Sequence, residues 1–295
     1  MKNNTQKGIV LMVITMLCFA MQDGLSRHLA ENYNVITTVA IRYAFFVIIV
    51  LSYGHFYTKN LRKILKTQQL FLQIMRGFIL ALMSCLAIMS SVRIGLVNFH
   101  SIFAIYPLII LTLSSPILHE HVGWRRWTAI FAGFCGVMII LQPTNQFINA
   151  GSSLAVAAAV LMAIYGVCTR LAAEKDNAET SLFWAAVIGA VAMLAVTPFH
   201  WKPPSGFDWT WMALLCVIGA IGHYLLIKTL DTAKASSVQP FAYLQLVFGS
   251  AIGILFFNDK LSLLLLAGCV LIVGSGLFSM KFGEKAKEQK IKICP

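Results

Sequence analysis

Charge is scarce in this sequence, and acidic charge is the scarcest. Only 12% of the 295 residues are Asp, Glu, Lys or Arg, and 11 acids stand against 23 basic residues. About a quarter of the residues in an average soluble domain are charged. Because 59% of the residues here are hydrophobic, the composition excludes an ordinary soluble domain and predicts a protein whose solvent is lipid.

Motifs for cofactors, metals and nucleotides are also missing. The seven cysteines include no CxxC pair and no Cys/His spacing typical of a metal site, so we interpret them as packing residues. No GxxxxGK[ST] phosphate loop occurs, which excludes direct use of ATP. The sequence therefore predicts no cofactor, no metal site and no catalytic residue.

What the sequence does have is a series of long apolar runs. A helix needs about 20 apolar residues to cross a hydrocarbon core of about 30 Å, and polar or turn-forming residues separate runs of that length. The predicted helices are Gly8–His28, Val35–Tyr53, Phe71–Met89, Val97–Leu118, Trp124–Leu141, Ser153–Leu171, Ser181–Phe199, Trp209–Ile227, Val238–Phe257 and Leu261–Met280. They predict an all-α integral membrane protein with ten transmembrane helices.

The basic residues predict the topology. Alternate loops carry most of the Lys and Arg, whereas the loops between them carry only Arg27, Arg93, Lys202 and Lys260. Cytoplasmic loops hold the excess of positive charge, so we expect both termini, including the basic tail at 281–295, to be cytoplasmic. This pattern accounts for the net charge of +12 without a nucleic-acid partner. The first apolar run lacks a small-residue cleavage site, which favours a retained helix over a signal peptide.

An internal repeat runs through the chain. The segment FAMQDGLSRHLAE at 19–31 resembles MAIYGVCTRLAAE at 162–174, and IYPLIILTLSSPILHEHVG at 105–123 lies over LQLVFGSAIGILFFNDKLS at 244–262. The second alignment places Glu120 opposite Asp259.

The aligned segments begin 143 and 139 residues apart, at 19 and 162 and at 105 and 244. These offsets predict two repeats, 1–142 and 150–280, each with five helices. Five is an odd number, so the second repeat must enter the membrane upside down. Inverted repeats place a binding site near the midplane and let it open to either side in turn, which favours transport.

The order of several motifs resembles one family. FAMQDGLSRHL, AIRYAFF, FAIYPLIIL followed by LHEHVGWRRW and GFCGVMIILQP, and AYLQLVFGSAIGILFFND are similar to the ten-helix drug/metabolite transporter superfamily, EamA-like branch. The resemblance covers nearly the whole chain, although the family's usual glutamate before helix 10 is here Asp259. It implies a transporter of small organic metabolites in the inner membrane, with helices 4, 6, 8 and 9 lining the cavity.

Charged residues at membrane depth are the first site candidates, since each costs about 2.5–3.5 kcal/mol to insert. Asp23 lies about two-thirds of the way through helix 1. Arg42 reaches a similar depth in helix 2, so Asp23 is predicted to form an ion pair that locks helices 1 and 2 through Arg42, or an i to i+4 pair with Arg27. The other prediction is a substrate-contacting or proton-linked Asp23. Arg76 in helix 3 either snorkels to the interface or binds an anionic group of the substrate.

Polar and aromatic residues at matching places in the repeats complete the prediction. Pro107 in helix 4 either frees backbone carbonyls beside a polar cavity or makes a simple packing kink, and Pro240 is interpreted as ordinary. The predicted substrate-binding residues are Gln22, Asp23, Arg76, Asn98, His100, Tyr106, Tyr165, His223, Tyr224, Gln239, Tyr243 and Gln245. The predicted structural residues are Arg42, Pro107, Glu120 and Asp259.

Several alternatives stay open. An intramembrane enzyme would need clustered acids or a nucleophile with its base, and a channel or receptor would not need inverted halves. The resemblance implies branches that include S-adenosylmethionine carriers, riboflavin carriers and amino-acid exporters, and a lone acid with arginines and several tyrosines suits a zwitterionic or aromatic-ring metabolite. The substrate hypothesis is S-adenosylmethionine or a similar nucleoside-bearing compound, ahead of riboflavin or amino acids. Proton coupling, exchange and facilitated diffusion are all compatible with the sequence, as are a monomer and a homodimer among membrane lipids.

Overall fold

The computed structural model describes residues 5–53, 64–118, 124–141, 150–233, 235–275 and 278. Helices in these ranges are α1 Thr5–Asn32, α2 Val35–Tyr53, α3 Leu70–Phe103, α4 Tyr106–Leu118, α5 Trp124–Leu141, α6 Ala150–Ala172, α7 Ala178–Val196, α8 Asp208–Thr232, α9 Leu244–Phe257 and α10 Leu263–Ser275. Short helical turns at Thr197–Phe199, Ala235–Val238 and Gln239–Tyr243 connect them. No strand occurs within these ranges, so the predicted all-α class is confirmed.

The helices have the apolar length that a membrane requires. Six segments are long and apolar enough to span a bilayer: Thr5–Asn32, Val35–Ser52, Leu70–Leu113, Ala150–Ala172, Ala178–Phe199 and Asp208–Thr232. Shorter apolar helices accompany them. The chain is therefore a multi-pass membrane protein, while the count of ten spans and the cytoplasmic termini stay predictions.

Apolar side chains cover the outside of the helix bundle, and two arginines are buried inside it, as expected of a protein surrounded by lipid. Large apolar side chains such as Phe71, Leu194 and Leu255 are 69–80% exposed on the outside of the bundle. Arg42 and Arg76 are at most 2% exposed in the interior. These two arginines thus lie between the helices and away from lipid.

The predicted break between helices 3 and 4 is a sharp kink at Gly95, inside the expected loop between Met89 and Val97. The run Leu70–Phe103, here called α3, is two helical segments joined at Gly95, whose φ of 82° and ψ of 161° are non-helical. The positive φ of glycine permits this kink, and the first segment extends past its predicted end at Met89 to Ile94. A second break at 104–105 falls inside the predicted helix Val97–Leu118, and α4 begins beyond it.

The breaks in the two halves correspond. Pro107 is the second residue of α4, where its missing N–H is not needed. In the second half, a 3₁₀ turn at Gln239–Tyr243 precedes α9, so the predicted helix Val238–Phe257 is an α-helix only from Leu244. Pro240 lies in that turn. Under the repeat alignment the two breaks occupy equivalent places.

The largest helix contacts join the N-terminal half to the C-terminal half. α3 packs chiefly on α6, and α1 packs chiefly on α8. Under the predicted repeat, α1 corresponds to α6 and α3 to α8, so these are two copies of one contact. Glycines permit the close approach of other helices: a Cβ at Gly189 would lie 2.1 Å from the ring of Tyr43. The region enclosed by α1, α2, α3, α6, α8 and α9 contains the candidate site.

Candidate functional site

A small cavity lies between the two halves. Its volume is about 30 Å³, and it is lined by Phe19, Gln22, Asp23, Arg42, Met83, Ser84, Ala87, Ile88, Phe99, Phe103, Met162, His223 and Gln245. One water molecule needs about 10–15 Å³ measured in this way. The cavity is therefore too small for an organic metabolite in this conformation.

Asp23 on α1 is the acidic centre of the cavity. Its Oδ2 accepts a hydrogen bond of 3.0 Å from Nε2 of Gln245 on α9. The same oxygen lies 3.6 Å from Nε2 of His100 on α3, which is too long for a hydrogen bond. Gly249, one turn after Gln245, brings α9 against this histidine, since a Cβ there would lie 2.2 Å from the imidazole. Asp23 is thus held where helices of both halves meet.

Arg42 on α2 is the basic residue of the same cavity. Its side chain is 2% exposed, and its Nε and Nη2 have no hydrogen-bond partner within the described ranges. The guanidinium lies 5.6 Å from the ring centroid of Tyr43. The expected Asp23–Arg42 ion pair is not formed in this conformation, because the Asp23 carboxylate contacts Gln245 instead. The prediction of that lock between α1 and α2 was wrong.

Aromatic rings form much of the remaining wall. Phe19 and His223 are 4.9 Å apart between ring centroids. Phe99 stacks on Phe103 at 5.0 Å and lies beside His100 at the same distance. Such faces can hold a planar ring by stacking.

Unsatisfied polar atoms are concentrated around this cavity. Native proteins leave only a few buried polar groups per 100 residues without a partner. Among the described residues on or beside the cavity, the buried atoms without a hydrogen-bond partner are Gln22 Oε1, Arg42 Nε and Nη2, His100 Nε2, His223 Nδ1 and Gln245 Oε1. This mixed set of donors and acceptors suits a polar, hydrogen-bonding ligand.

A polar cluster centred on Asp259 ties the halves together at one end of the bundle. Nη1 of Arg27 on α1 donates to both carboxylate oxygens of Asp259 at 2.9 Å. The backbone N–H groups of Leu96 and Val97 donate to Oδ2 at 2.6 and 3.2 Å. Asp259 therefore caps the helical segment after the Gly95 kink. Arg27 lies four residues, or about 6 Å, along α1 from the cavity residue Asp23, and Leu96 lies the same number of residues along α3 from His100 beside the cavity.

A second cluster, centred on Asp176, lies at the other end. Nε2 of Gln73 donates to Asp176 at 2.8 Å, the N–H of Gln68 donates at 2.9 Å, and the Thr67 hydroxyl donates as well. Gln73 also accepts from Arg76, whose Nε donates to the Thr169 hydroxyl at 3.1 Å.

The two clusters are far apart along one helix. Gln73 and Leu96 are 23 residues apart on α3, which corresponds to about 35 Å. The Asp259 cluster and the Asp176 cluster thus close opposite ends of the interface between the halves.

The other predicted site residues lie apart from the cavity wall. Arg76 is buried in the Asp176 cluster, 5.2 Å from the ring centroid of Tyr165, so it does not snorkel to the interface. The Tyr106 hydroxyl contacts the sulfur of Met16 at 3.7 Å. Tyr243 is buried, with no partner for its hydroxyl in the described ranges.

Two further candidates face away from the cavity. Asn98 is exposed and donates to the carbonyl of Ile94. The Tyr224 hydroxyl contacts Glu179 at 3.3 Å. The side chain of Gln239 and the whole of Glu120 lie outside what the structure describes.

Sequence reasoning missed the apolar and weakly polar wall of the cavity. Phe19, Met83, Ser84, Phe99, Phe103 and Met162 line it, and nothing in their residue types distinguishes them from packing residues of a membrane helix. Within the described ranges, no group of three or more His, Cys, Asp or Glu side chains could hold a metal ion.

Comparisons with known proteins identify the relatives of this chain. Residues 6–142 and 149–280 each match the EamA-like transporter family. The chain is 27% identical over 288 residues to the S-adenosylmethionine uptake transporter of Rickettsia prowazekii (strain Madrid E), covering 96% of this chain and 95% of that protein. It is also 27% identical over 313 residues to the riboflavin transporter of Vibrio cholerae serotype O1, covering 99% of both. A solved crystal structure with 14% sequence identity superposes with a TM-score of 0.71 over 95% of this chain and 99% of the other, which shows a shared fold.

Proposed function

Because the chain belongs to the EamA-like transporter family, we propose that it carries S-adenosylmethionine across the inner membrane through the cavity around Asp23 and Arg42. The observation that carries this proposal is a pair of opposite charges on one cavity wall. S-adenosylmethionine has a carboxylate, an ammonium group, a sulfonium centre and a flat purine ring. The phenylalanines of the cavity are suited to the ring, and the polar groups to the charged end. The name of the Rickettsia relative supports the same choice.

The cavity volume favours alternating access as the mechanism. Pockets for small organic ligands measure about 300–1,000 Å³, whereas this one measures about 30 Å³. The helices must therefore separate before cargo enters. Separation at one end requires the Asp259 cluster to break, and separation at the other end requires the Asp176 cluster to break. We propose that the two clusters are the gates and that this conformation has both closed.

Riboflavin is the second candidate cargo. The Vibrio cholerae relative is named as its transporter and aligns over almost the full chain. Riboflavin has a large flat ring that suits Phe99 and Phe103, but it carries no cationic group to pair with Asp23. The charges of the cavity therefore favour S-adenosylmethionine.

Counterflow in proteoliposomes tests the proposal. Vesicles containing purified protein are loaded with one unlabelled compound and offered the same labelled compound outside, with S-adenosylmethionine, riboflavin and amino acids in parallel. We expect saturable accumulation of S-adenosylmethionine, recovered chemically unchanged. Chemical conversion would support the enzyme alternative, and accumulation of another compound alone would overturn the substrate proposal.

Asp23→Asn is the informative variant in this assay. Because the substitution removes the only negative charge among the described residues of the cavity wall while keeping the shape of the side chain, we expect affinity for S-adenosylmethionine to fall about tenfold to a hundredfold. Asn98→Ala is the matched control, since Asn98 is exposed. Unchanged affinity in Asp23→Asn would show that Asp23 does not contact the cargo.

A further inference from the structure

Arg42 is a buried cation without a counter-ion in this conformation. It is 2% exposed and forms no ion pair with a described residue, since the carboxylates within ion-pair distance of basic groups pair with Arg27, His28, His100 and Lys228. Removing one partner of a buried charge pair is strongly destabilising, because an isolated charge remains out of water. Such a charge at membrane depth marks a functional site.

The two unsatisfied donors of Arg42 form one edge of its guanidinium. Nε and Nη2 both lack a partner, and their N–H bonds point the same way in the plane of the group. Two parallel N–H bonds match the two oxygens of a carboxylate, so this edge is suited to a bidentate contact. A lysine ammonium could not reproduce this geometry.

The surroundings of Arg42 leave this edge for a ligand. The other described polar residues of the cavity wall are Gln22, Asp23, Ser84, His223 and Gln245, and none of them is hydrogen-bonded to Nε or Nη2 of Arg42. Asp23 is engaged by Gln245 through Oδ2. Arg42 and Asp23 thus present separate positive and negative poles to the same space.

We infer that Arg42 is a specificity-determining residue that binds the carboxylate of the cargo, while Asp23 receives its cationic part. This inference rests on the proposed transport through the cavity and narrows it: the cargo is a carboxylate-bearing zwitterion. A neutral flavin, which has no carboxylate, is disfavoured. The Arg42 guanidinium would repel a ligand that carries positive charge and no carboxylate, so purely cationic compounds should also be excluded.

A pair of ligands that differ only in the carboxylate tests the inference. Inhibition constants for S-adenosylmethionine and its decarboxylated analogue are measured against labelled S-adenosylmethionine bound to purified wild-type protein. We expect the wild type to prefer the carboxylate-bearing compound by about tenfold to a hundredfold, since a charge-assisted bidentate contact is lost in the analogue. In Arg42→Gln this preference falls to about one, and in Arg42→Lys it is intermediate.

The measured quantity is a ratio within one protein sample, so a lower yield of folded variant does not affect it. Arg93→Gln is the matched control, because Arg93 is exposed, and it should keep the wild-type ratio. If Arg42→Gln keeps the full preference, or if the wild type has none, the role of Arg42 is overturned while the transport proposal stands. If the wild-type protein binds no carboxylate-bearing compound in the panel, whether or not it binds riboflavin, both the role of Arg42 and the proposed transport of S-adenosylmethionine are overturned.

Discussion

Replacing Asp259 with asparagine should unlock one end of the transporter. The substitution keeps the size of the side chain but removes the charge that faces Arg27 at 2.9 Å. At present both carboxylate oxygens accept from Arg27, and Oδ2 also accepts from the N–H groups of Leu96 and Val97. Asparagine has only one side-chain oxygen to accept these bonds. The side chains of the ion pair are only 12% and 11% exposed. Truncating one partner of such a buried pair costs about 2–5 kcal/mol.

This cost applies only to the state in which the Asp259 cluster is closed. Each 1.4 kcal/mol is a tenfold change in an equilibrium constant. The population of the closed state should therefore fall about 30-fold to 3,000-fold relative to the state that is open at this end. A cysteine placed at Ser84, which lines the cavity and is 5% exposed, reports the change. In a background without native cysteines, a membrane-impermeant maleimide added on the Asp259 side should react at least tenfold faster when Asp259 is Asn.

Lys260→Gln is the control, because it changes the charge by one unit at the neighbouring, exposed position. It should leave the labelling rate unchanged. Equal rates in Asp259→Asn and in the unmodified protein would refute the assignment of this cluster as a gate, and so would an equal increase in the Lys260 variant.

Two further predictions concern the other contacts between the halves. Asp176→Asn weakens the hydrogen bonds from Gln73 and Gln68. The Ser84 cysteine should therefore react faster only with maleimide added on the Asp176 side of the membrane. Faster reaction from the Asp259 side instead would contradict the gate assignment. Gly249→Ala adds a methyl group that would lie 2.2 Å from the ring of His100, which should destabilise this closed conformation by about 1–3 kcal/mol and slow counterflow. Gly274→Ala, with nothing within 4 Å of its added methyl, should behave as the unmodified protein, and equal slowing in both glycine variants would refute the packing argument.

The sequence predicted the helices better than it predicted their breaks. Apolar run length identifies a spanning segment because the bilayer thickness dictates it. Ser90, Ser91 and Arg93 were assigned to the predicted loop because they are polar, yet they continue the first helical segment of α3. The break falls at Gly95, near the end of that predicted loop, where the Asp259 carboxylate accepts from the N–H of Leu96. That contact joins residues more than 160 positions apart, and local patterns do not contain it.

The candidate site was accessible from sequence only in part. Polar residues at membrane depth are costly and therefore conspicuous, which is why Gln22, Asp23, His223 and Gln245 could be selected. Depth along a helix does not give direction around it, so Arg42 was paired with Asp23, although the two line one cavity without forming an ion pair.

The aromatic contact beside the ion pair shields it from dissolved ions. The ring of Phe257 lies 4.3 Å from the guanidinium of Arg27, and the charges of the pair are nearly nine-tenths covered. Exposed charges are screened beyond about 8 Å at physiological ionic strength, whereas buried pairs are screened much less. The proposed gate at Asp259 should therefore stay closed equally well in dilute and in saline surroundings, and we expect leakage of cargo to be independent of the salt content of the medium.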